Sequence, residues 1–304
     1  MKDQADRLRE VIDNLKMKQA MEQTPFPFKT EKRSARVITV TSGKGGVGKT
    51  NITINLAIAL SEQGLRVVIL DADFGLANID VLFGIIPRYT LLDVIKDRKN
   101  ILEIISEGPK NTRFISGGSG VEELVKLEKA QLSKFIENIA LLDKIADVIL
   151  IDTGAGLSEN VMSFVMAADE ILLVTTPEPT SITDAYALIK MVSNRDKTKK
   201  IKIIVNRAEN VNEANDILNK LILVADKFLS LKLEPLGYIL QDDAVIKAVK
   251  QQQPFAISYP KCQATRYIRE LSGKFIQNDN NNVQLLQNMG FKGFINRLVG
   301  FMKA

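Results

Sequence analysis

Val37 to Thr50 reads VITVTSGKGGVGKT, and this stretch decides the fold. Val37 to Val40 is an unbroken β-branched run, the mark of a strand buried on both faces. Directly behind it, Gly43, Gly48, Lys49 and Thr50 fit G-x-x-x-x-G-K-[ST], with a helix opening near Lys49. Strand, glycine-rich loop and helix in that order form a phosphate-binding loop. Its glycines let backbone N–H groups turn inward around phosphate oxygens, and the helix N-terminus adds positive dipole. The candidate nucleotide contacts here are Gly43, Lys44, Gly45, Gly46, Val47, Gly48, Lys49, Thr50 and Asn51. Lys49 is placed to reach the β- and γ-phosphates, and the Thr50 hydroxyl to ligate Mg²⁺. Lys44 is a second lysine that the general motif does not require. Taken alone it reads as a solvated surface charge; its position beside the phosphates argues for neutralising charge in the transition state.

Outward from the loop, Val67–Leu70, Val148–Ile151, Ile171–Val174, Ile201–Val205 and Leu236–Leu240 repeat the short apolar run. Segments read as amphipathic helices, such as Ile52–Gln63 and Ile182–Ser193, lie between them. This alternation predicts an α/β, doubly wound, mostly parallel sheet with helices on both faces, a P-loop NTPase. Asp71 and Asp73 follow one run and Asp152 another. The carboxyl ends of parallel strands are where ligands bind in open α/β sheets. Asp71 and Asp152, with Thr50, are therefore candidate magnesium-site residues, and each aspartate has the alternative of capping the helix that follows.

The composition narrows the chemistry. The chain has 304 residues, 45% hydrophobic and 25% charged, with a net charge of +5, one cysteine and no histidine. Histidine-based acid–base chemistry, catalytic triads and His-ligated zinc are excluded, and Cys262 alone makes neither an internal disulfide nor a cysteine-rich metal site. No apolar stretch reaches the roughly 18 residues of a membrane-spanning helix, and the charged segment MKDQADRLREVIDNLK is not a secretion signal. A cytoplasmic location is expected. The mild positive charge permits contact with an anionic surface without demanding one.

Three motifs in order carry a family resemblance: KGGVGKT with its extra Lys44, DADFGLANID from Asp71 to Asp80, and DTGAG from Asp152 to Gly156. They resemble the deviant Walker A loop and the two switches of the MinD/ParA group of P-loop ATPases, over about residues 36 to 278. Within it, VTTPEPTSITDAYALIK (Val174–Lys190) and DQADRLR (Asp3–Arg9) are similar to the FlhG branch (YlxH, FleN), which controls flagellar number and placement. The resemblance implies a slow switch ATPase using ATP/ADP and Mg²⁺. Its catalytic residues are Lys44, Lys49 and Asp73. Lys44 crosses to the phosphates of a second subunit in an ATP-bound homodimer, Asp73 positions the attacking water, Asp152 supports Mg²⁺ through its water shell, and Asp71 assists. Asn206 bonds the base, with Arg207 beside it. The base itself stays open between adenine and guanine on the residues alone. Guanine readers carry N-K-x-D, and this chain has Asn206, Arg207, Ala208 and Glu209; the resemblance implies adenine.

Both termini add expectations. Leu8, Ile12 and Leu15 share one helical stripe, read from pattern alone as a docked N-terminal helix or a frayed tail. The resemblance makes Asp3, Gln4, Ala5, Leu8 and Arg9 a partner-binding element that stimulates the GTPase FlhF, joined by a Pro25/Pro27 spacer. At the other end, FKGFINRLVGFMKA places Phe291, Phe294, Ile295, Leu298, Val299, Phe301 and Met302 on one helical face of about 160°. That pattern fits a helix in a membrane interface or one docked on the core. The resemblance implies membrane targeting, at an anionic inner-membrane surface. The expected organisation is 1–36 as N-terminal element and linker, 37–278 as ATPase domain, and 279–304 as linker and amphipathic helix. Flagellar switch and C-ring components are further implied partners. No nucleic-acid partner is expected, although Lys197, Lys199, Lys200 and Lys202 form a basic run that a ParA-type DNA-binding reading would use. A MinD-type division-site ATPase is the other alternative.

Overall fold

The computed structural model describes residues 34–73, 78–117, 120–124, 126–280 and 290–303. The chain runs β1 (Arg36–Thr41), α1 (Lys49–Glu62), β2 (Val67–Ala72), α2 (Asn78–Phe83), α3 (Leu91–Ile95), β3 (Ser106–Glu107), β4 (Arg113–Ser116), α4 (Gly120–Leu124), α5 (Lys129–Ile139) and α6 (Leu142–Ile145). It continues through β5 (Val148–Thr153), α7 (Glu159–Ala167), β6 (Glu170–Thr175), α8 (Pro179–Arg195), β7 (Lys200–Ala208), α9 (Val211–Leu229), β8 (Leu233–Leu240), α10 (Asp243–Lys250), α11 (Phe255–Ser258), α12 (Gln263–Asn280) and α13 (Gly290–Lys303).

The eight strands lie in the order β3-β4-β2-β5-β1-β6-β7-β8. Neighbours are parallel except β3 with β4. This is the doubly wound, mostly parallel sheet read from the sequence. β1 sits between β5 and β6, so the chain winds away from it in both directions and the phosphate loop opens where those directions part. Alternate residues of each strand point to opposite faces. Val37 and Ile149 face α3, α5, α6, α7 and α13, whereas Ile38, Val40 and Leu150 face α1 and α12. Each expected apolar run is a strand. The pair β3 and β4 was not foreseen, because Arg113–Ser116 holds only two apolar residues in a row.

Three readings are corrected. First, α1 is not amphipathic over its length: Ile52 to Leu60 are all buried, because the helix lies between the sheet and α12. Second, the basic run Lys197–Lys202 is only partly open to a nucleic acid, with Lys197 exposed. Lys202 is buried and paired with Glu170 at 2.8 Å, and Lys199 donates to the Ala168 carbonyl at 2.7 Å. Third, α12 continues to Asn280, into the asparagine cluster taken for a linker. The expected N-terminal helix, with Asp3, Gln4, Ala5, Leu8 and Arg9, lies outside the described residues.

The end of the sheet opposite the phosphate loop holds a buried charge network. Glu170 accepts from the Arg36 guanidinium and from Lys202, while both cations stand over the Phe275 ring at 4.1 and 5.0 Å. Burial alone would raise the Glu170 pKa, but the Arg36 hydrogen bonds and charge, with Lys202, bring it down from 4.5 to about 2. A carboxylate held below its unfolded value stabilises the fold above that value and loses the effect as pH falls through the folded one. The contribution is therefore present above pH 4.5 and fades towards pH 2. Glu170→Gln leaves two buried cations without their anion and is expected to lower unfolding free energy by about 3–5 kcal/mol. Urea titrations from pH 7 to pH 3 should also show a flatter acid limb than wild type.

Candidate nucleotide site

β1 ends at the glycine-rich loop, and two of its glycines are required by their surroundings. Gly48 has φ +92°, and a Cβ there would collide with the Asn206 amide. A Cβ at Gly43 would run into the Asp184 backbone on α8. The loop is thus pinned between α8 and the end of β7. Asn206 Nδ2 donates to the Val47 carbonyl at 2.8 Å, clamping the loop. Arg207, next to it, takes a left-handed φ of 58° and is exposed.

Lys49 opens α1 and is buried. Its Nζ donates to Asp152 Oδ1 at 3.0 Å. Thr53, one helical turn on, donates to the same oxygen at 3.0 Å. Thr50 is half-buried on the first turn of α1. The other oxygen of Asp152, Oδ2, is buried with no hydrogen-bond partner, as are Thr41 Oγ1 at the end of β1 and Thr176 Oγ1 just past β6. Asp71 pairs with Asp152 across β2 and β5. Burial, then the Asp152 charge, pushes the Asp71 carboxyl from 3.8 up to about 7, against backbone hydrogen bonds from Asp73 and Ile79 that lower it.

Two neighbouring carboxylates, one with a bare oxygen, fit a divalent cation beside Thr50. Among the described residues no cluster of three or more Asp, Glu, His or Cys side chains could hold a metal by itself. A magnesium ion held here would take most of its ligands from phosphate oxygens and waters.

Asp73 lines a cavity of about 200 Å³ with Gly154, Ala155, Ser158, Asn160 and Phe164. It accepts from Asn78 Nδ2 at 3.3 Å. The DTGAG loop is tied to the phosphate loop by Gly156 N–H to the Ser42 carbonyl at 2.9 Å. So the structure brings Lys49, Thr50, Asp71, Asp73, Asp152 and Asn206 to one edge of the sheet.

Lys44 is placed differently. Its Nζ leaves its own cradle and bonds Glu178 at 2.6 Å and Thr180 at 2.8 Å, where α8 begins. The Lys44 hydrogen bond and charge hold the Glu178 carboxyl below its usual range. Thr53, Glu178 and Thr180 were not anticipated. Thr53 had a signal, since a threonine one turn after Lys49 shares its helix face.

Residues 38–255 match the family model of the CobQ/CobB/MinD/ParA nucleotide-binding domain. The chain belongs to that family. Among its relatives, the antiactivator FleN of Pseudomonas aeruginosa is 41% identical over 239 residues, 79% of this chain and 85% of FleN. The flagellum site-determining protein YlxH of Helicobacter pylori is 33% identical over 305 residues, covering 99% of this chain and all of YlxH. These place the chain in the FleN/YlxH branch, the FlhG branch of the sequence reading. Among solved structures, the septum site-determining protein MinD of Pyrococcus horikoshii, complexed with Mg-ADP, aligns with TM-score 0.63 and 25% identity over 83% of this chain and all of its own. The magnesium and nucleotide named for that relative match the donor set assembled here.

The seven residues of the expected membrane face have another environment. Phe291, Phe294, Ile295, Leu298 and Val299 are buried in the core cluster of α5, α6 and α7, Met302 packs against it, and only Phe301, at 41%, is exposed. Phe294 meets Phe164 of α7 at 6.2 Å between ring centroids. Of the two readings of this helix, the structure adopts the docked one, because the apolar face that suits lipid also suits a protein groove. In this conformation that face is not open to a membrane. Among the described residues no helix is long and apolar enough to cross one.

Gly48→Ala meets both a left-handed backbone and the Asn206 amide. Nucleotide affinity, read by titration with a fluorescent ATP analogue, is expected to fall at least about tenfold, with the far-UV circular dichroism spectrum unchanged.

Proposed function

We propose that this protein is an ATP-dependent dimerising switch that regulates flagellar number and placement; its likeness to the flagellum site-determining protein YlxH supports the flagellar part of the reading. The observation that carries the switch is the position of Lys44. In one chain its ammonium rests on Glu178 and Thr180 rather than on its own phosphate cradle, in an exposed pair that the cradle of a second copy can displace. Lys49, now paired with Asp152, turns to the β- and γ-phosphates when ATP enters. Asp152 and Asp71, with the Thr50 hydroxyl, would hold magnesium and its waters, and the ion would supply charge neutralisation at the phosphates. Asp73 orients the attacking water, in a cavity that a facing subunit closes. The Asn206 carbonyl takes the adenine side.

The same switch governs the C-terminal helix. α7 begins directly after the DTGAG loop and carries Phe164, which touches both the cavity beside Asp73 and Phe294. A shift of that loop on ATP-dimer formation moves the wall on which α13 sits. Released, α13 presents its apolar face to an anionic inner-membrane surface. One such helix binds weakly, and two on a dimer gain avidity of about 10²–10⁴. Hydrolysis reverses the sequence. The N-terminal DQADRLR element acts on the GTPase FlhF, and flagellar switch and C-ring components are further partners. The buried state of Lys202 speaks against the ParA-type DNA reading.

Mixing tests the shared site. Lys44→Ala and Lys49→Ala chains are each expected to lack ATPase activity. Combined, they form a mixed dimer with one intact site, Lys49 from one chain and Lys44 from the other, and part of the activity returns. Full activity of Lys44→Ala alone, or no recovery on mixing, contradicts the reading. Vesicle co-sedimentation provides a second check. Wild type is expected on phosphatidylglycerol vesicles with ATP and not with ADP, and Leu298→Asp on neither.

A further inference from the structure

Half of the large apolar side chains exposed among the described residues gather at one place. They are Val81 of α2, Ile86 just beyond it, and Ile246 and Val249 of α10, with Ile86 95% exposed. The two helices meet just past their last turns. Gly84 N–H donates to the Val81 carbonyl, and Gln252 N–H donates to the Val249 carbonyl. A Cβ on Gly84 would lie 3.7 Å from the Gln252 carbonyl oxygen. Beneath them Leu82, Phe83, Ala248 and Phe255 share one buried cluster, with Ile85 and Val245 packed against it. The core thus holds α2 and α10 side by side and leaves an apolar strip across their outer faces. Single exposed apolar residues need no explanation, but a strip of them marks a site of interaction.

The rim of the strip is mainly basic. Arg88 follows Ile86 by two residues, and Lys247 and Lys250 share α10 with Ile246 and Val249; all three are exposed. None of them makes an ion pair among the described residues. Asp243, one turn ahead of Ile246, is the exposed carboxylate of α10. An occupant therefore needs apolar side chains for the strip and acidic ones for the rim. Both walls are helices rather than strand edges, so an extended peptide has no ladder to join. The shape that fits is an amphipathic helix with apolar residues three and four apart. A lipid surface fits less well, because segments that lie in a membrane interface bring Trp, Phe or Leu, and this strip has only valine and isoleucine. Two copies of the strip packed on each other would set like charges together.

The strip lies between two parts of the nucleotide site. α2 opens at Asn78 and Ile79, which bond Asp73 and Asp71. α10 is capped by Asp242, next to Gln241, whose N–H bonds the carbonyl of Ala208, two residues past Asn206. An occupant that bridges α2 and α10 bears on both parts.

We propose that Val81, Ile86, Ile246 and Val249, rimmed by Arg88, Lys247 and Lys250, dock an acidic amphipathic helix of a partner protein. The surface belongs to a single chain, so the proposal stands apart from the dimer and membrane readings above.

Photocrosslinking of the full chain in its own cells tests this. p-Benzoylphenylalanine replaces Ile86 in one variant and Ile246 in another, and mass spectrometry identifies the peptide joined to each. The expected adduct at both positions is the same segment of another protein, with apolar residues at helical spacing and Asp or Glu beside them. That segment, made as a fluorescent peptide, is then titrated against the purified chain by anisotropy. Ile246→Asp is expected to weaken binding at least about tenfold. Lys247→Glu combined with Lys250→Glu is expected to weaken it several-fold, and more at low salt. These side chains are exposed, and unchanged thermal unfolding midpoints verify that the variants fold. Adducts with lipid, with a second copy of this chain or with unrelated segments at the two positions overturn the proposal, as does the absence of any adduct. A peptide that binds the variants as tightly as wild type overturns it as well.

Discussion

The buried ion pair between Lys49 and Asp152 is the interaction on which the rest of the site depends. It spans 3.0 Å, and the two side chains are only 8% and 0% exposed. In so dry a place a carboxylate is tolerable only with a cation beside it. The sheet delivers Asp152 to its carboxyl edge, α1 delivers Lys49 and Thr53 opposite, and Asp71 on the adjacent strand adds a second negative group whose proton affinity rises in consequence. One oxygen is still without a partner. The site is balanced for a single chain without nucleotide and unbalanced as soon as phosphate draws Lys49 away. Bringing in phosphate and a divalent cation together restores neutrality, which ties nucleotide and metal to each other.

Charge pairs of the same kind set the state of the periphery. Lys44 rests on Glu178, and α13 rests on Asp143 and Asp169. The Lys44 pair is the shallower of the two, because α13 also buries five large apolar side chains. The Lys44 pair is exposed, so its attraction is screened, and the hold on α13 is shared between apolar contacts and a few carboxylate hydrogen bonds. In the switch proposed above, each is exchanged for an alternative partner, a second phosphate site in one case and a lipid surface in the other. By contrast, the Arg36–Glu170–Lys202 network with Phe275 is buried, its charged side chains 4–8% exposed. It ties β1, β6 and β7 together beneath the site that moves.

Much of this was legible in the sequence, for physical reasons. Strands buried on both faces must be apolar throughout, so β1, β5 and β6 stood out, and a loop that cradles phosphate must be glycine-rich, so Gly43 to Thr50 did as well. β4 was hidden because it lies near the sheet edge, where Arg113 is accommodated by the Ile145 carbonyl and two apolar residues suffice. The amphipathic face of α13 was plain, but hydrophobicity has no direction, and pattern alone does not say whether lipid or protein covers it. Lys202 misled in the same way, since a lysine in a basic run looks solvated until the buried Glu170 on the next strand is known. Glu178 carries no signal of its own; only the fold brings it to Lys44.

The account stands or falls on whether ATP, and not ADP, brings two chains together. Sedimentation velocity of the Asp73→Ala chain, which is expected to bind ATP without turning it over, measures this directly. The account predicts twice the monomer mass with magnesium and ATP and the monomer mass with ADP. An unchanged mass in both, at concentrations that saturate the nucleotide site, would contradict it.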